Sequence, residues 1–492
     1  HKNKILIIIL LDVKIHIFID IKQKHHKPVR ICESKECLRS AANLALSMNM
    51  SADPCQDFYG YVCGNWAEEH PRPDALHSYD WFSDKQTKVH AVVRDFLTKN
   101  ISDAPLPVKQ AKDLYAACMD TETLDKRGIK PILKILESLG LPQYPTIVNV
   151  TGDTEYDSFK FDWLETVIKV KVQLGMDVLI GFDIFTDPKN SSIYRLVMVK
   201  LNKFNHLESD NDTSSDDDDV YLNVPEYTVY EMQTHTDMIV KDNNGTAIPI
   251  WKRYLEGVFD ISSVKLDFDK DKILVSDPDL VYISLMAAYI SKASPLLIEL
   301  YVWIKVTKQS LGKHDSYTPP RSQLCAGAVN DMLGMPVSYA IADSHFFDVT
   351  KPKIEVMLNE LKNSLAHLVG QTRWMDDNTK LATYEKIIQM KTLVGFPNWL
   401  LDSEKLEEYY EGIVVDRKTH LENLINIIQV KIRKALNKFR VENNGTWATD
   451  PTEVNAYHTF QENTITVPLV MLQYPFFDLG LEYVVRNNLS IR

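Results

Sequence analysis

The chain has 492 residues, of which 45% are hydrophobic, and a formal net charge of −12. A single hydrophobic core stops growing at about 250–300 residues, so this length predicts two lobes. Nucleic-acid binding needs clustered lysine and arginine, and the acidic balance therefore excludes that class of partner. The glycine content, 17 residues against an average usage of about 7%, favours a mainly α-helical fold over turn-rich β architectures.

Residues 1–31 form a leader whose composition differs from that of the rest of the chain. Its apolar run at residues 5–11 is shorter than the about 20 residues that cross a bilayer, and extending the run brings in charged side chains. Aliphatic residues occupy every second position from Val13 to Ile21, which is the period of a strand. We expect this atypical leader to be a misjoined or untranslated stretch outside the fold, and we expect no membrane anchor in this chain.

The next segment combines cysteines with a dense aromatic motif. Cys32 and Cys37 precede a short helical stretch predicted at residues 41–48. Residues 54–66 then read Pro-Cys-Gln-Asp-Phe-Tyr-Gly-Tyr-Val-Cys-Gly-Asn-Trp, with several rare residue types at fixed offsets. We expect the aromatic side chains of this motif to form one buried stripe. They are Phe58, Tyr59, Tyr61 and Trp66.

Residues 84–415 are predicted to be mostly helical. One amphipathic helix has Pro352 in its first turn and Gly370 at its carboxyl end. Further helices are predicted over residues 377–394 and 421–439. We expect the apolar residues of these helices to serve in packing. The apolar face of the first consists of Ile354, Met357, Leu358, Leu361, Leu365 and Leu368.

A β-hairpin is predicted near the end of the chain. Residues 454–457 and 464–467 have the composition of two short strands, and residues 461–463 form the reversal between them. The strands belong to a longer run at residues 455–477 that reads Asn-Ala-Tyr-His at its start and Tyr-Pro-Phe-Phe at its end.

Three stretches, residues 54–66, 374–397 and 455–477, together resemble the neprilysin and endothelin-converting-enzyme family of zinc metallopeptidases. The resemblance extends over residues 32–484. It implies a mainly α, two-lobed molecule in which a large helical cap domain faces an incomplete thermolysin-like catalytic lobe with a short β-hairpin. The implied domains are 32–83 and 417–484 in the catalytic lobe, 84–416 in the cap, and an unrelated tail at 485–492.

The resemblance also implies a peptide-binding edge. In this family the edge strand pairs with an extended peptide substrate, so that the peptide backbone is held independently of most side chains. The Asn455 side-chain amide and the Ala456 carbonyl would hold the backbone next to the scissile bond. Neprilysin uses arginines after the opening motif to hold a substrate carboxylate, and the matching residues 77–85 contain none. Lys85 would be a weaker, non-bidentate substitute.

The zinc site of the family has no counterpart in the sequence. Such a site needs His-Glu-x-x-His, in which two histidines one helical turn apart bind zinc and the glutamate activates the bound water. None of the 14 histidines is followed by glutamate. We therefore predict no catalytic residue, no metal ligand and no cofactor here, a chain truncated before the zinc-binding helix, and inactivity as given. Zinc is expected in the complete family member, which would cleave small bioactive peptides.

The six cysteines are interpreted through the same resemblance. It implies a local disulfide between Cys32 and Cys37 and a long-range disulfide between Cys118 and Cys325, which would stabilise the fold by about 5 kcal/mol in the chain-entropy model. The family partners of Cys55 and Cys63 lie in a region beyond Cys325 that has no cysteine here. These two are therefore orphan cysteines, either free or paired with each other.

Asn-x-Ser/Thr sequons and disulfides both favour an extracellular location, either secreted or as the ectodomain of a plasma-membrane protein. The alternative to a peptidase is a secreted, non-catalytic peptide-binding or interaction protein derived from the same fold. The substrate and the oligomeric state remain open. The candidate glycosylation sites are Asn49, Asn100, Asn149, Asn190, Asn211, Asn244, Asn444 and Asn488.

Overall fold

The computed structural model describes most of the chain. The described residues are 5–10, 14–19, 32–74, 76, 78–150, 152, 158–187, 189–198, 224–311, 320–443, 445 and 447–479. Asn211, Asn444, Asn488 and the predicted tail at 485–492 lie outside these ranges.

Helices form most of the described structure, which confirms the predicted mainly α fold. The helices of the first half are α1 (Lys35–Ser47), α2 (Phe58–Cys63), α3 (Trp66–Glu69), α4 (Trp81–Thr98), α5 (Leu106–Met119), α6 (Thr121–Arg127), α7 (Lys130–Leu139), α8 (Trp163–Leu174) and α9 (Val229–Asp242). Those of the second half are α10 (Trp251–Phe259), α11 (Asp277–Ile290), α12 (Pro295–Leu311), α13 (Arg321–Met332), α14 (Gly334–Ser338), α15 (Lys351–Gln371), α16 (Asp377–Gln389), α17 (Ser403–Tyr409) and α18 (His420–Asn437).

The strands form three small sheets. A hairpin pairs β1 (Ile5–Leu10) with β2 (Lys14–Ile19), in agreement with the strand period of the leader. The second sheet has the order β3-β4-β6-β5, and the third has the order β7-β9-β8. The remaining strands are β3 (Phe182–Thr186), β4 (Tyr194–Met198), β5 (Glu226–Thr228), β6 (Lys272–Leu274), β7 (Lys391–Gly395), β8 (Tyr457–Thr459) and β9 (Thr464–Pro468).

Local sequence explains several helix boundaries. Asp376 caps α16 by accepting a 2.9 Å hydrogen bond from the backbone N–H of Thr379, which satisfies an otherwise unpaired donor. Thr228 and Glu231 form a reciprocal capping box at the start of α9. The helix predicted over residues 377–394 was wrong at its end, because α16 ends at Gln389 and residues 391–395 form β7. Parallel pairing of β7 with β9 overrides the local helical pattern.

Two hydrophobic cores organise the molecule. The first core is built from helices α7 to α12 and the four-stranded sheet, around the fully buried Trp251 and Tyr254. The second core is built from α4, α5, α13, α17 and the three-stranded sheet. Helix α18 contributes to both, with Ile427 in the second core and Leu436 in the first. The domain boundaries proposed from the sequence stay a prediction.

Two predicted apolar faces are only partly buried. On α15, Ile354 is buried in the second core, but Leu365 and Leu368 further along the same face are exposed, the latter to 60%. Only the first part of this helix lies over the core, and the spacing of apolar residues cannot show where a neighbour ends. The predicted aromatic stripe was also wrong in part, because Phe58 and Tyr59 are 67% and 78% exposed.

Candidate peptide-binding edge

The predicted hairpin forms one edge of the three-stranded sheet. Strand β9 lies in the centre, parallel to β7 and antiparallel to β8, with Tyr457 opposite Thr466 and Thr459 opposite Thr464. Among the described strands, β8 is hydrogen-bonded on one side only. The outer side of β8 therefore offers backbone donors and acceptors to an added strand.

Asn455 and Ala456 lead directly into this edge and are both exposed. The Oδ1 atom of Asn455 accepts a 2.8 Å hydrogen bond from the backbone N–H of Ala456. This contact orients the asparagine amide along the edge and uses the Ala456 N–H internally. The family resemblance assigns the Asn455 side-chain amide and the Ala456 carbonyl to substrate, and that role stays a prediction.

The two faces of the hairpin differ in exposure. Thr464 and Thr466 of β9 are buried, whereas His458 of β8 is exposed. The ring of His458 lies 4.7 Å from that of Phe460, which is itself 62% exposed. This aromatic pair gives the solvent side of the edge an apolar contact surface.

Helix α4 supports the segment that precedes the edge. The Oε1 atom of Gln86 accepts a 3.0 Å hydrogen bond from the backbone N–H of Val454. The Nε2 atom of Gln86 donates to the Thr452 carbonyl at 3.5 Å and to Nε2 of His90 at 3.0 Å. The glutamine thus bonds to the peptide groups on both sides of Glu453, two residues before Asn455. No local sequence pattern indicated this role, because the contact joins residues that are 368 positions apart in the chain.

A buried charged cluster lies beside the same segment. Burial raises the pKa of Asp450 to about 6, and the nearby Lys431 ammonium opposes that rise. Burial likewise raises the pKa values of Asp331 and Glu453. It lowers those of His90 and Lys431. Neutral carboxyl groups are favoured here because desolvation penalises the charged form.

Glycine permits the close approach that buries this cluster. The Asp450 carboxylate lies directly against Gly334, where an added Cβ would overlap its Oδ2 atom. The Lys431 ammonium donates a 3.1 Å hydrogen bond to the Asp331 carbonyl. Helices α13 and α18 and the segment before the edge therefore meet at one point.

The opening aromatic motif lines a second feature, a cavity of about 410 Å³. Trp66, Trp81 and Tyr474 line it with edge-on ring contacts, at centroid distances of 5.8 Å for Trp66 with Trp81 and 6.4 Å for Trp81 with Tyr474. The thiol-bearing Cys63 also lines this cavity. Trp66 thus belongs to an aromatic cluster that includes the later Tyr474, which was not foreseen from the sequence.

Lys85 does not face solvent as a free point charge. Its ammonium donates to Oε1 of Gln473 at 3.0 Å and to the Tyr474 carbonyl at 3.2 Å. Burial, together with the nearby Lys88, lowers the pKa of Lys85 to about 8. The side chain joins α4 to the segment after β9, which is a structural role.

The structure contains both disulfides that the resemblance implied, Cys32–Cys37 and Cys118–Cys325. The second joins α5 to α13 within the second core, across 207 residues of sequence. Cys55 and Cys63 are free thiols, the first exposed and the second half-buried.

The described sequons differ in accessibility. Asn49 is half-buried, and its Oδ1 atom accepts hydrogen bonds from the N–H and the hydroxyl of Ser51. Four others are exposed and sterically open to modification, and these are Asn100, Asn149, Asn190 and Asn244. Glycosylation of these residues stays a prediction.

A catalytic zinc site needs three protein ligands. Across the described ranges, no three side chains of His, Cys, Asp or Glu are arranged to hold a metal ion. Glu231 and His235 lie one helical turn apart on α9, but both side chains are engaged in other contacts. Glu231 caps α9, and the imidazole of His235 hydrogen-bonds to the Ser284 hydroxyl at 3.2 Å. These residues do not fit the zinc of the family.

Comparison with known proteins decides the family. The model of peptidase family M13, in its amino-terminal part, matches residues 54–222 and 198–397. The chain belongs to peptidase family M13. This is the neprilysin family of zinc metallopeptidases, and the resemblance drawn from the sequence is confirmed.

Relatives in the M13 family align over most of the chain. Neprilysin-11 of Caenorhabditis elegans is 22% identical, covering 92% of this chain and 60% of its own length. An endothelin-converting enzyme homolog of Locusta migratoria is 24% identical, covering 92% of this chain and 70% of its own length. Mouse neprilysin is 23% identical, with 91% and 68% covered. The chain thus spans 60–70% of the length of these relatives.

Solved structures share the fold. The zinc metalloprotease ZMP1 of Mycobacterium tuberculosis, in complex with an inhibitor, superposes with a TM-score of 0.66 at 18% identity. That match covers 89% of this chain and 71% of the other. PepO from Lactobacillus rhamnosis gives a TM-score of 0.62 at 14% identity, covering 88% of this chain and 73% of the other. In the described part of this M13 chain, no helix combines the length and apolar character needed to span a bilayer.

Proposed function

We propose that this M13 chain binds small peptides as an added strand along β8, as the peptide-holding part of a zinc metalloendopeptidase. The observation that carries the proposal is the edge position of β8, with Asn455 and Ala456 exposed at its start. A peptide on this edge would pair through its backbone, so its sequence would matter little. The complete protein would hydrolyse small bioactive peptides.

Two groups would set the register of the bound peptide. The amide nitrogen of Asn455 would donate to a peptide carbonyl, and the Ala456 carbonyl would accept from a peptide N–H. The Asn455 side chain is already oriented by its 2.8 Å bond from the Ala456 N–H, so little conformational entropy is lost on binding. The exposed rings of His458 and Phe460 would contact apolar side chains of the peptide.

We expect this chain to bind peptides without hydrolysing them. M13 hydrolysis relies on zinc to activate water, and the sequence contains no His-Glu-x-x-His to supply its ligands. The residues described here bind and orient, and we expect these 492 residues by themselves to hold a peptide without cutting it.

A second candidate is a secreted, non-catalytic peptide-binding protein of the M13 fold. The two disulfides and the exposed sequons support an oxidising, extracellular setting for either candidate, as a secreted protein or as an ectodomain. Transcript sequencing separates the candidates. A His-Glu-x-x-His encoded after Arg492 supports the peptidase, and a stop codon at that place in independent transcripts supports the binding protein.

Peptide binding can be measured by fluorescence anisotropy with a labelled, end-blocked Ala-Phe-Leu-Phe-Ala peptide. We expect Asn455→Ala to weaken binding about tenfold, the value of one hydrogen bond. A peptide with methylated backbone nitrogens should bind much more weakly, because it lacks the donors for strand pairing. Asn359→Ala, at an exposed asparagine of α15, is the matched control. Equal affinity of the normal and methylated peptides would refute edge binding.

A further inference from the structure

Glu462 lies in the reversal between β8 and β9, and its carboxylate bonds to two side chains outside the three-stranded sheet. Its Oε1 atom accepts a 2.9 Å hydrogen bond from the Thr186 hydroxyl and a 2.8 Å hydrogen bond from Nδ2 of Asn443. Thr186 and Asn443 are 2% and 7% exposed, so both donors are shielded from water. Removing the carboxylate would leave the Thr186 hydroxyl without this acceptor and would leave Nδ2 of Asn443 with only its longer bonds, to the Ser191 carbonyl at 3.2 Å and the Thr186 hydroxyl at 3.3 Å, which is costly in a buried place.

The two donors are themselves fixed to the four-stranded sheet. Thr186 ends β3 and lies opposite Tyr194 of β4. The Tyr194 hydroxyl donates a 3.0 Å hydrogen bond to Oδ1 of Asn443, and the Asn443 backbone N–H donates to the Ser192 carbonyl at 2.8 Å. Thr186, Asn443 and Tyr194 therefore form one buried polar network at the rim of the first core.

The other side of the reversal is held by α16 and β7. The Nδ2 atom of Asn463 donates to the Lys386 carbonyl at 2.7 Å, and the Lys391 N–H donates to the Asn463 carbonyl at 2.9 Å. The adjacent residues Glu462 and Asn463 thus anchor the tip of the hairpin in two directions. Glu462 bonds to the network beside the four-stranded sheet, and Asn463 bonds to α16 and β7. Strand β8 has three residues and one described neighbour, so its rigidity depends heavily on this tip.

We propose that Glu462 is a positioning residue, which fixes the peptide-binding edge relative to the first core through Thr186 and Asn443. A peptide on β8 would then lie at a set place with respect to both cores. Through this network, peptide binding along β8 depends on how the two cores are placed relative to each other. The claim about peptide rests on the proposed function, whereas the claim about β8 rigidity does not.

Hydrogen–deuterium exchange of the full chain tests the rigidity. In Glu462→Ala, the amides of the hairpin should exchange about tenfold faster than in the wild type, because the tip loses its acceptor. Glu462→Gln keeps a carbonyl oxygen for both donors and should restore slow exchange. Thr186→Val removes the hydroxyl that donates to Glu462, so it should also speed exchange of the hairpin amides. Glu408→Ala, at an exposed glutamate of α17, is the control.

Unchanged hairpin exchange in folded Glu462→Ala and Thr186→Val would overturn the proposal. Affinity for the labelled Ala-Phe-Leu-Phe-Ala peptide gives a second readout, and it should fall several-fold in Glu462→Ala and recover in Glu462→Gln. If the wild type binds no peptide, the proposed function fails, and the exchange rates still decide whether Glu462 positions the strand. An alanine variant that binds as well as the glutamine variant would contradict the coupling.

Discussion

The Oε1 atom of Gln86 accepts a 3.0 Å hydrogen bond from the backbone N–H of Val454, across 368 residues of sequence. Its Nε2 atom reaches the Thr452 carbonyl, so one side chain of α4 holds the segment that leads into the candidate edge. The position of Asn455 therefore depends on helix packing in the second core as well as on strand pairing.

Gln86→Ala should destabilise the protein by about 1–3 kcal/mol, because it leaves the Val454 N–H without its acceptor in a shielded place. Urea unfolding measures this loss. Gln389→Ala, at an exposed glutamine that ends α16, is the control and should change stability by less than about 0.5 kcal/mol. Equal effects of the two substitutions would show that the Gln86 contact contributes nothing.

The Cys118–Cys325 disulfide should be the stronger of the two covalent constraints. It closes 207 residues, whereas Cys32–Cys37 spans 5. The chain-entropy model gives about 5 kcal/mol for the first loop and about 2 kcal/mol for the second. We expect Cys118→Ala with Cys325→Ala to lower the urea midpoint clearly more than Cys32→Ala with Cys37→Ala. The reverse order would contradict the assignment of Cys118–Cys325 to a folded core.

Asp450 should give stability a pH dependence of defined sign. Its carboxyl binds a proton more tightly in the folded state, where burial raises the pKa to about 6, than in the unfolded state at 3.8. This contribution is fully present below the unfolded pKa and is lost as pH rises through the folded pKa. We expect the free energy of unfolding to change by about 2 kcal/mol over this range.

The measurement compares the wild type with Asp450→Asn, which cannot ionise. The free energy of unfolding of the wild type, relative to the variant, should fall between pH 4 and pH 6, the window set by the two pKa values, and then level off. Asp331 and Glu453, whose pKa values are also raised by burial, are present in both proteins, so the difference reports Asp450 together with its coupling to these two carboxyl groups. A pH-independent difference would contradict a buried Asp450 carboxyl.

The predictions from the sequence that held are those that depend on local pattern. The apolar spacing of α18 and the turn before β9 depend only on neighbouring residues. The sequence therefore predicted the positions of this helix and of the β8–β9 hairpin to within a few residues. The parallel pairing that turned residues 391–395 into β7 joins segments far apart in the chain, and no local pattern encodes it.

Some residues of the candidate site were found from the sequence, and others only from three-dimensional contacts. Asn455 and Ala456 were found by likeness to a family, and their exposure agrees with an edge. Gln86 and Glu462 were missed because each acts through a partner hundreds of residues away, at Val454 and Thr186. A polar residue in a helix or turn gives no sign of such a partner, so three-dimensional contacts were needed to identify both.

The free thiols offer a test of the cysteine assignment. Cys55 is exposed and Cys63 is half-buried beside the aromatic cavity, and the structure leaves both unpaired. Thiol titration of the non-reduced, denatured chain should therefore detect both, and Cys55→Ser should remove one of them. In the folded chain Cys55 should react faster than Cys63, because access to the thiolate limits the rate. Absence of titratable thiol would show that they pair with each other.

We propose that these 492 residues hold the peptide-binding part of an M13 peptidase without its zinc ligands. The most direct measurement determines zinc content together with cleavage of an internally quenched peptide, in the presence and absence of EDTA, after dialysis against zinc. We predict far less than stoichiometric zinc and no cleavage that EDTA abolishes, while the labelled Ala-Phe-Leu-Phe-Ala peptide still binds. Stoichiometric zinc with EDTA-sensitive cleavage would contradict the account.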